Sequence, residues 1–292
     1  CGIYLTNHFF SEQTIRKKLD SMETRGPDYQ GYVEVNTLKL GHNRLSIIDL
    51  DHRSHQPMQI QGYYLVFNGE IYNYKQLYEL LPHDVKPQTN SDCEVIAHLY
   101  QAFGIDTTLQ LLDGVFSFVL IDQLLGKNAS KMYIARDPYG IRPLFIMNNM
   151  NSSDSDSIVA FASEMKSLKP IQDELNEHYN DIRDEMLLQD PHANIKKHYK
   201  QYQIQQFKPG SYQGYKLPFH MSPHWKIEKQ VRYNTFSFNS TIFASTYDIP
   251  SVLGKIQTHF TEAVYKRCVA AERPIACLLS GGLDSSLVTA LV

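Results

Sequence analysis

From its second residue the chain alternates. Ile3 and Leu5 fall on one face and Tyr4 and Thr6 on the other, the period of a half-buried strand, and Cys1 falls on the Ile3/Leu5 side. Strand-like runs recur at 37–41, 63–67, 115–121, 132–136, 142–147 and 157–162, many bounded by Gly, Pro, Asn or Asp. Helical stripes lie between them. One covers Tyr74 to Leu81 with Leu77, Leu80 and Leu81 turned inward. Another opens at "SDCE", where Ser91 and Glu94 have capping-box spacing. It carries Val95, Ile96, Leu99 and Phe103 and stops at Gly104. Consecutive strands with few helices predict mainly antiparallel sheet with helices packed outside, an α+β fold.

The pattern then weakens. "NNMNSSDSDS" at 148–157 reads as a loose hairpin tip, 171–206 as a charged helical or irregular connector, and "FKPGSY" at 207–212 as a strand with a turn. The first domain is expected to span 1–212, with its connector from about 171. In the remainder, 213–292, Val252, Ile256, Phe260, Ala263, Val264 and Arg267 mark a helix, "PIACLL" a short buried strand, "SGGLDSS" a Gly/Ser loop and "SLVTALV" another helix. Helix, apolar strand, glycine-rich loop and helix open a parallel α/β sheet. The sequence ends at Val292 inside that last helix, so this second domain is expected to be incomplete.

Composition narrows the function. Of the 292 residues 42% are apolar and 20% charged, ordinary for a globular chain, and no apolar run reaches membrane-spanning length. A net charge of −3 gives no electrostatic case for nucleic acid or an anionic membrane. No basic-plus-apolar leader is visible from Cys1 onward. Cys1, Cys93, Cys268 and Cys277 form no C-x-x-C pair, which argues against disulfides and zinc and for the reducing cytoplasm. His52 and His55 have H-x-x-H spacing but no third ligand nearby, and read as a surface loop.

Some residues carry candidate chemistry. An N-terminal cysteine can use its own α-amine, with a pKa near ~8, to take the thiol proton. The bland alternatives are a residue exposed by removal of Met, or a lipidated first residue. A lipidated residue would precede a flexible tether rather than a strand. In "YYLVFNGEIYNY" a strand is expected to end at Phe67 and turn at Asn68-Gly69-Glu70. The Asn68 amide and Gly69 backbone there would form an oxyanion hole, or an ordinary Asn-Gly turn. In "GHNRLSIIDL", Arg44 is either a carboxylate clamp or a surface arginine. Asp92 either complements a helix dipole or holds an ammonium group. "RGPD" and "ARDPYGIRPLF" read locally as structural turns. "LLSGGLDSS" offers backbone N–H groups and hydroxyls at a helix start, an anion nest without the Walker or dinucleotide spacing.

Together with "QPM", "SDCEVI", "GVFSFVL", "ASEMKSL" and "KPGSY", these stretches run in order from residue 1 to 292 and resemble the glutamine-hydrolysing asparagine synthetase family. The resemblance implies a class II glutamine amidotransferase domain, an N-terminal-nucleophile hydrolase with an αββα sandwich. After it comes the beginning of an α/β parallel-sheet PP-loop domain. Its implied roles are Cys1 as nucleophile, with Asn68 and Gly69 as oxyanion hole. Arg44, Leu45, Ser46, Ile47, Ile48, Glu70 and Asp92 make the rest of the glutamine pocket. Leu278, Leu279, Ser280, Gly281, Gly282, Leu283, Asp284, Ser285 and Ser286 make the ATP site. The implied substrates are glutamine, aspartate and ATP with Mg2+, with no organic prosthetic group, no metal held by the protein, and no nucleic-acid or membrane partner. A homodimer is compatible with it. An amidophosphoribosyltransferase, a β-lactam-forming relative and a non-catalytic module of the same fold are the alternatives. "SGGLDSS" counts against the first, and the intact Cys1, Arg44, Asn68, Gly69 and Asp92 against the last.

Overall fold

The computed structural model describes residues 1–7, 10–124, 130–149, 160–190, 201–217, 225–236 and 248–292. In chain order the elements are β1 (Gly2–Thr6), α1 (Glu12–Asp20), β2 (Tyr29–Val35), β3 (Leu38–Arg44), β4 (Met58–Ile60), β5 (Tyr63–Ile71), α2 (Tyr74–Tyr78), α3 (Val95–Leu111), β6 (Gly114–Asp122), β7 (Lys131–Arg136), β8 (Phe145–Asn149), β9 (Ala160–Ala162), α4 (Lys169–Gln189), β10 (Tyr202–Gln206), β11 (Ser211–Lys216), β12 (Lys226–Arg232), α5 (Ile249–Cys268) and α6 (Leu283–Leu291).

The strands form two six-stranded sheets, ordered β10-β8-β9-β1-β3-β2 and β12-β11-β7-β6-β5-β4. Every pairing between the named strands is antiparallel. The alternation in β1 explains how they stack. Ile3 and Leu5 enter a core between the sheets with Leu40, Val66, Val119, Ile134 and Phe161, all fully buried. Tyr4 points the other way, into a cluster with Ile15 and Leu19 of α1 and Ile171 and Leu175 of α4. The outer face of the second sheet is covered in the same way, Leu65, Phe116 and Phe118 packing on Leu77 of α2 and Val95, Leu99 and Leu109 of α3. The result is helix, sheet, sheet, helix, the sandwich expected. Each large apolar side chain so buried contributes about 1.5–3 kcal/mol.

Several local expectations are corrected. β5 does not end at Phe67. It runs on to Ile71, with Asn68 opposite Ser117 and Gly69 opposite Phe116, because β6 supplies a continuous ladder. Ser91 and Glu94 form no capping box. Glu94 instead accepts the N–H groups of Gln88 at 2.6 Å and Thr89 at 2.8 Å, pinning the loop before α3. Gly104 does break the helix, with φ 76°, but a second helical stretch follows directly to Leu111. Leu80 and Phe103, expected inside, are exposed, since the sheet is already covered by their neighbours. The 171–206 connector is an ordered helix, α4, and an edge strand, β10. Residue 212 lies inside β11, and the second sheet continues through β12 to Arg232. Most of the loose tip at 148–157 lies outside the described residues.

The largest correction is at 274–279. "PIACLL" forms no strand, and Leu278 and Leu279 are exposed. A parallel strand needs a neighbour on its hydrogen-bonding edge and cover on its faces, and no described residue provides either. α5 likewise buries only Val264. Among the described residues no helix is long and apolar enough to cross a membrane.

Candidate active site

β1 lies between β3 and β9, and its register sets Gly2 opposite Asn43, so Cys1 emerges beside the end of β3. There the Leu45 N–H donates to Cys1 Sγ at 3.3 Å. The Cys1 α-amine donates to the Arg25 carbonyl at 2.8 Å, and Arg25 Nε returns a bond to the Cys1 carbonyl at 2.8 Å. Burial lowers the amine pKa to about 5. The Arg25 and Arg142 charges push it the same way, against Asp28. At neutral pH the amine is therefore a free base next to its own thiol.

Facing it is the continuation of β5. On the edge of β5 away from β6, the β4 pairing ends at Leu65 and side chains take over at Phe67: Gln56 Oε1 accepts the Phe67 N–H at 2.6 Å and His42 Nε2 meets the Phe67 carbonyl at 2.9 Å. These bonds fix the backbone leading into Asn68. The Asn68 side-chain nitrogen is buried and has no hydrogen-bond partner among the described residues, although the residue lines the same cleft as Cys1. A buried donor left unpaired costs free energy, which an incoming oxyanion would recover. Gly69 is required by close packing. A Cβ there would overlap the Val115 carbonyl oxygen and approach Phe116 Cα to 2.7 Å. Gly69→Ala is expected to lower the unfolding free energy by about 3 kcal/mol, measured by denaturant titration.

Arg44 is 3% exposed, which removes the surface reading. Its Nη1 donates to the Asp51 carbonyl at 2.9 Å and its Nη2 to the Asp49 carbonyl. A guanidinium carries five donors, so an edge remains for a carboxylate. Asp92 is buried before the start of α3, and its carboxylate accepts the Ile71 N–H at 2.7 Å. Burial pushes its pKa up to about 7, opposed by that N–H and reinforced by the Glu70 charge. Glu70 is itself raised by burial and pairs with Arg142 at 2.9 Å.

Cys1, Arg44, Leu45, Ile47, Ile48, Asn68, Gly69, Glu70 and Asp92 thus line one cleft. Ser46 does not: its N–H is taken by Asp28 at 2.7 Å. The local reading of "RGPD" and "ARDPYGIRPLF" as turns missed Arg25, Asp28 and Arg142, which hold or line this cleft. The signal available was charge placed inside otherwise tight turns. Gln56 and His42 lie within "QPM" and "GHNRLSIIDL", but nothing local pointed to their role, because their partner is the backbone of Phe67 on another strand. A roomier groove bounded by Tyr74, Tyr78, Pro82 and Lys86 meets the cleft only at Ser91.

At the other end of the chain, Gly281 has φ 83° and Gly282 caps α6. Ser280 Oγ and Ser285 Oγ lie 2.9 Å apart, and Ser286 Oγ donates to the Gly282 carbonyl at 2.8 Å. Gly281, Gly282, Leu283 and Asp284 are all exposed, and a Cβ at Gly281 would meet nothing within 4 Å, so the start of α6 is open to a ligand. Asp284 is the acidic residue in that turn. Among the described residues no group of three His, Cys, Asp or Glu side chains converges on a metal position.

Comparison with known proteins bears on both ends. Residues 1–223 match the family described as glutamine amidotransferase domain, and residues 255–292 match that described as asparagine synthase. A probable glutamine-hydrolyzing asparagine synthetase of Acanthamoeba polyphaga mimivirus is 32% identical over 286 residues, covering 94% of this chain and 45% of the relative. The chicken (Gallus gallus) glutamine-hydrolyzing asparagine synthetase is 32% identical over 312 residues, with 100% and 48% covered. That of Asparagus officinalis is 36% identical over 272 residues, with 92% and 37% covered. The chain spans less than half the length of each of these relatives. The match over residues 1–223 takes in well over half of the chain, which therefore belongs to the glutamine amidotransferase domain family, followed by part of an asparagine synthase domain.

Proposed function

We propose that this chain hydrolyses glutamine at Cys1 and that the whole protein uses the ammonia to make asparagine from aspartate and ATP. The observation that carries the first half is the buried, unpartnered Asn68 nitrogen lining the cleft with Cys1. The neutral amine takes the thiol proton, and Sγ attacks the side-chain amide carbon. The resulting oxyanion meets Asn68 and the Gly69 N–H. The ammonium so formed on Cys1 returns its proton to the leaving nitrogen, and ammonia departs. Water then attacks the thioester, glutamate leaves, and the thiol is restored. Arg44 holds the substrate α-carboxylate, Asp92 its α-ammonium, and the backbone of 45–48 closes the side of the pocket.

In the second half, the Ser280–Ser286 loop holds the pyrophosphate part of Mg–ATP. The aspartate β-carboxylate is adenylated with release of pyrophosphate, and ammonia displaces AMP. The matched asparagine synthase segment and the nest geometry support this. We read the first functional unit as running to the end of β12, since cutting at 212 would split β11. The four free thiols support a cytoplasmic setting. A homodimer is the assembly to test by light scattering.

The test is release of glutamate and ammonia, with mass analysis of the Cys1 peptide after a glutamine-analogue electrophile. No adduct and no ammonia would end the reading. The pH profile is a sharper check. Catalysis needs the amine neutral, so kcat should rise with pH through about 5 and be flat above about 6.5. Binding needs Asp92 ionised, so the glutamine KM should rise as pH falls through about 7. A kcat limb near 8 would contradict the buried amine.

A further inference from the structure

Residues between α5 and the Ser280 loop reach back to the glutamine pocket. The Glu272 N–H donates to the Ile47 carbonyl at 3.0 Å. Its carboxylate Oε1 accepts the Asp49 N–H at 3.1 Å, and Arg273 Nε donates to the Ser46 carbonyl at 3.2 Å. All three bonds land on the loop that follows Arg44, after β3 has ended and no strand ladder holds the backbone.

Asp49 is the hub of that loop. Its φ is 52°, in the left-handed region that few non-glycine residues adopt and that Asp tolerates better than most. Its carbonyl accepts from Arg44 Nη2. Its carboxylate takes the Ser54 hydroxyl at 2.5 Å and the Asn90 N–H at 2.8 Å. The one backbone donor left, the Asp49 N–H, goes to Glu272. A carboxylate on that N–H is a charge-assisted bond, stronger than a neutral one.

We propose that Glu272, with Arg273, is a positioning residue for glutamine: this strap fixes the 46–49 loop so that the Asp49 carbonyl holds the Arg44 guanidinium towards the substrate carboxylate. The inference rests on the glutamine-hydrolysing reading. It adds that the second matched segment completes the first segment's substrate pocket. The strap touches neither Sγ nor the oxyanion donors, so it acts on binding and not on the chemical step. α5 is anchored independently, by Lys266 on Asp113 at 2.7 Å and by Lys266 and Arg267 over the Tyr72 ring. Removing the Glu272 side chain therefore leaves the segment in place.

The test is steady-state glutaminase kinetics on the chain with Glu272→Ala and Glu272→Gln. The alanine variant should raise the glutamine KM about 5- to 10-fold, with kcat within about twofold of wild type. The glutamine variant keeps an acceptor oxygen and should recover KM to within about threefold. A Glu272→Ala enzyme with wild-type KM overturns the strap, as does one whose kcat falls while KM holds, or one that Glu272→Gln does not rescue. If the wild-type chain itself releases no ammonia from glutamine, the underlying reading fails and takes the strap with it. Turnover by wild type with an indifferent Glu272→Ala sinks the strap alone.

Discussion

Cys1→Ala is expected to reduce glutamine hydrolysis by about 10⁴-fold or more, because it removes the atom proposed to form the thioester. The more telling variant keeps that atom. An acetylated glycine placed ahead of Cys1 converts the amine to an amide and leaves Sγ beside the Leu45 N–H. An amide nitrogen has no proton affinity at neutral pH, so the thiol loses its base. Turnover is expected to drop about 10²- to 10⁴-fold, the usual worth of a positioned general base. The surroundings of the amine suit it to the proposed task. With a pKa lowered to about 5, it is roughly 99% neutral at pH 7, against roughly 10% for an ordinary α-amine. The same burial makes the extension hard to accommodate, so folding must be checked alongside, by the unfolding midpoint. Wild-type ammonia release from a well-folded extended protein would show that the proton goes elsewhere.

Asn68→Ala is expected to lower kcat about 10²- to 10³-fold, or about 2.7–4 kcal/mol, with the glutamine KM changed little. The asymmetry follows from where charge develops. The ground-state amide oxygen is neutral, and the donor gains most when that oxygen becomes an anion. Asn68 loses no existing side-chain bond from its nitrogen when truncated, because that nitrogen has no partner. The variant should therefore fold nearly as well as wild type. A parallel loss of stability and kcat would mean that Asn68 is structural, and an unchanged kcat would remove it from the reaction.

The contrast between these residues and their neighbours shows what could be read in advance. Cys1, Arg44, Asn68, Gly69 and Asp92 were candidates because their types suit the chemistry, and the ordered motifs linked them. The alternation of Ile3 and Leu5 with Tyr4 was enough for a strand, and the predominance of strands for antiparallel sheet. Whether Asn68-Gly69-Glu70 turned or stayed extended was not legible. The dipeptide Asn-Gly favours a turn locally, and it was the β6 ladder that kept β5 straight to Ile71. Leu80 and Phe103 sat at helical spacing, yet spacing says only which face a residue is on and not whether anything covers it.

What the sequence alone determined is therefore local: the elements whose hydrophobic period is strong, and the reactive groups available. What tertiary structure decided is the environment of those groups. The amine becomes a base through burial beside Arg25 and Arg142, Asp92 titrates near 7 because it is buried near Glu70, and the Asn68 donor is left open by the packing around it. Each of these depends on residues far apart in the chain, brought together by strand register. Desolvation and Coulomb interactions act through space, and a linear pattern does not record those distances.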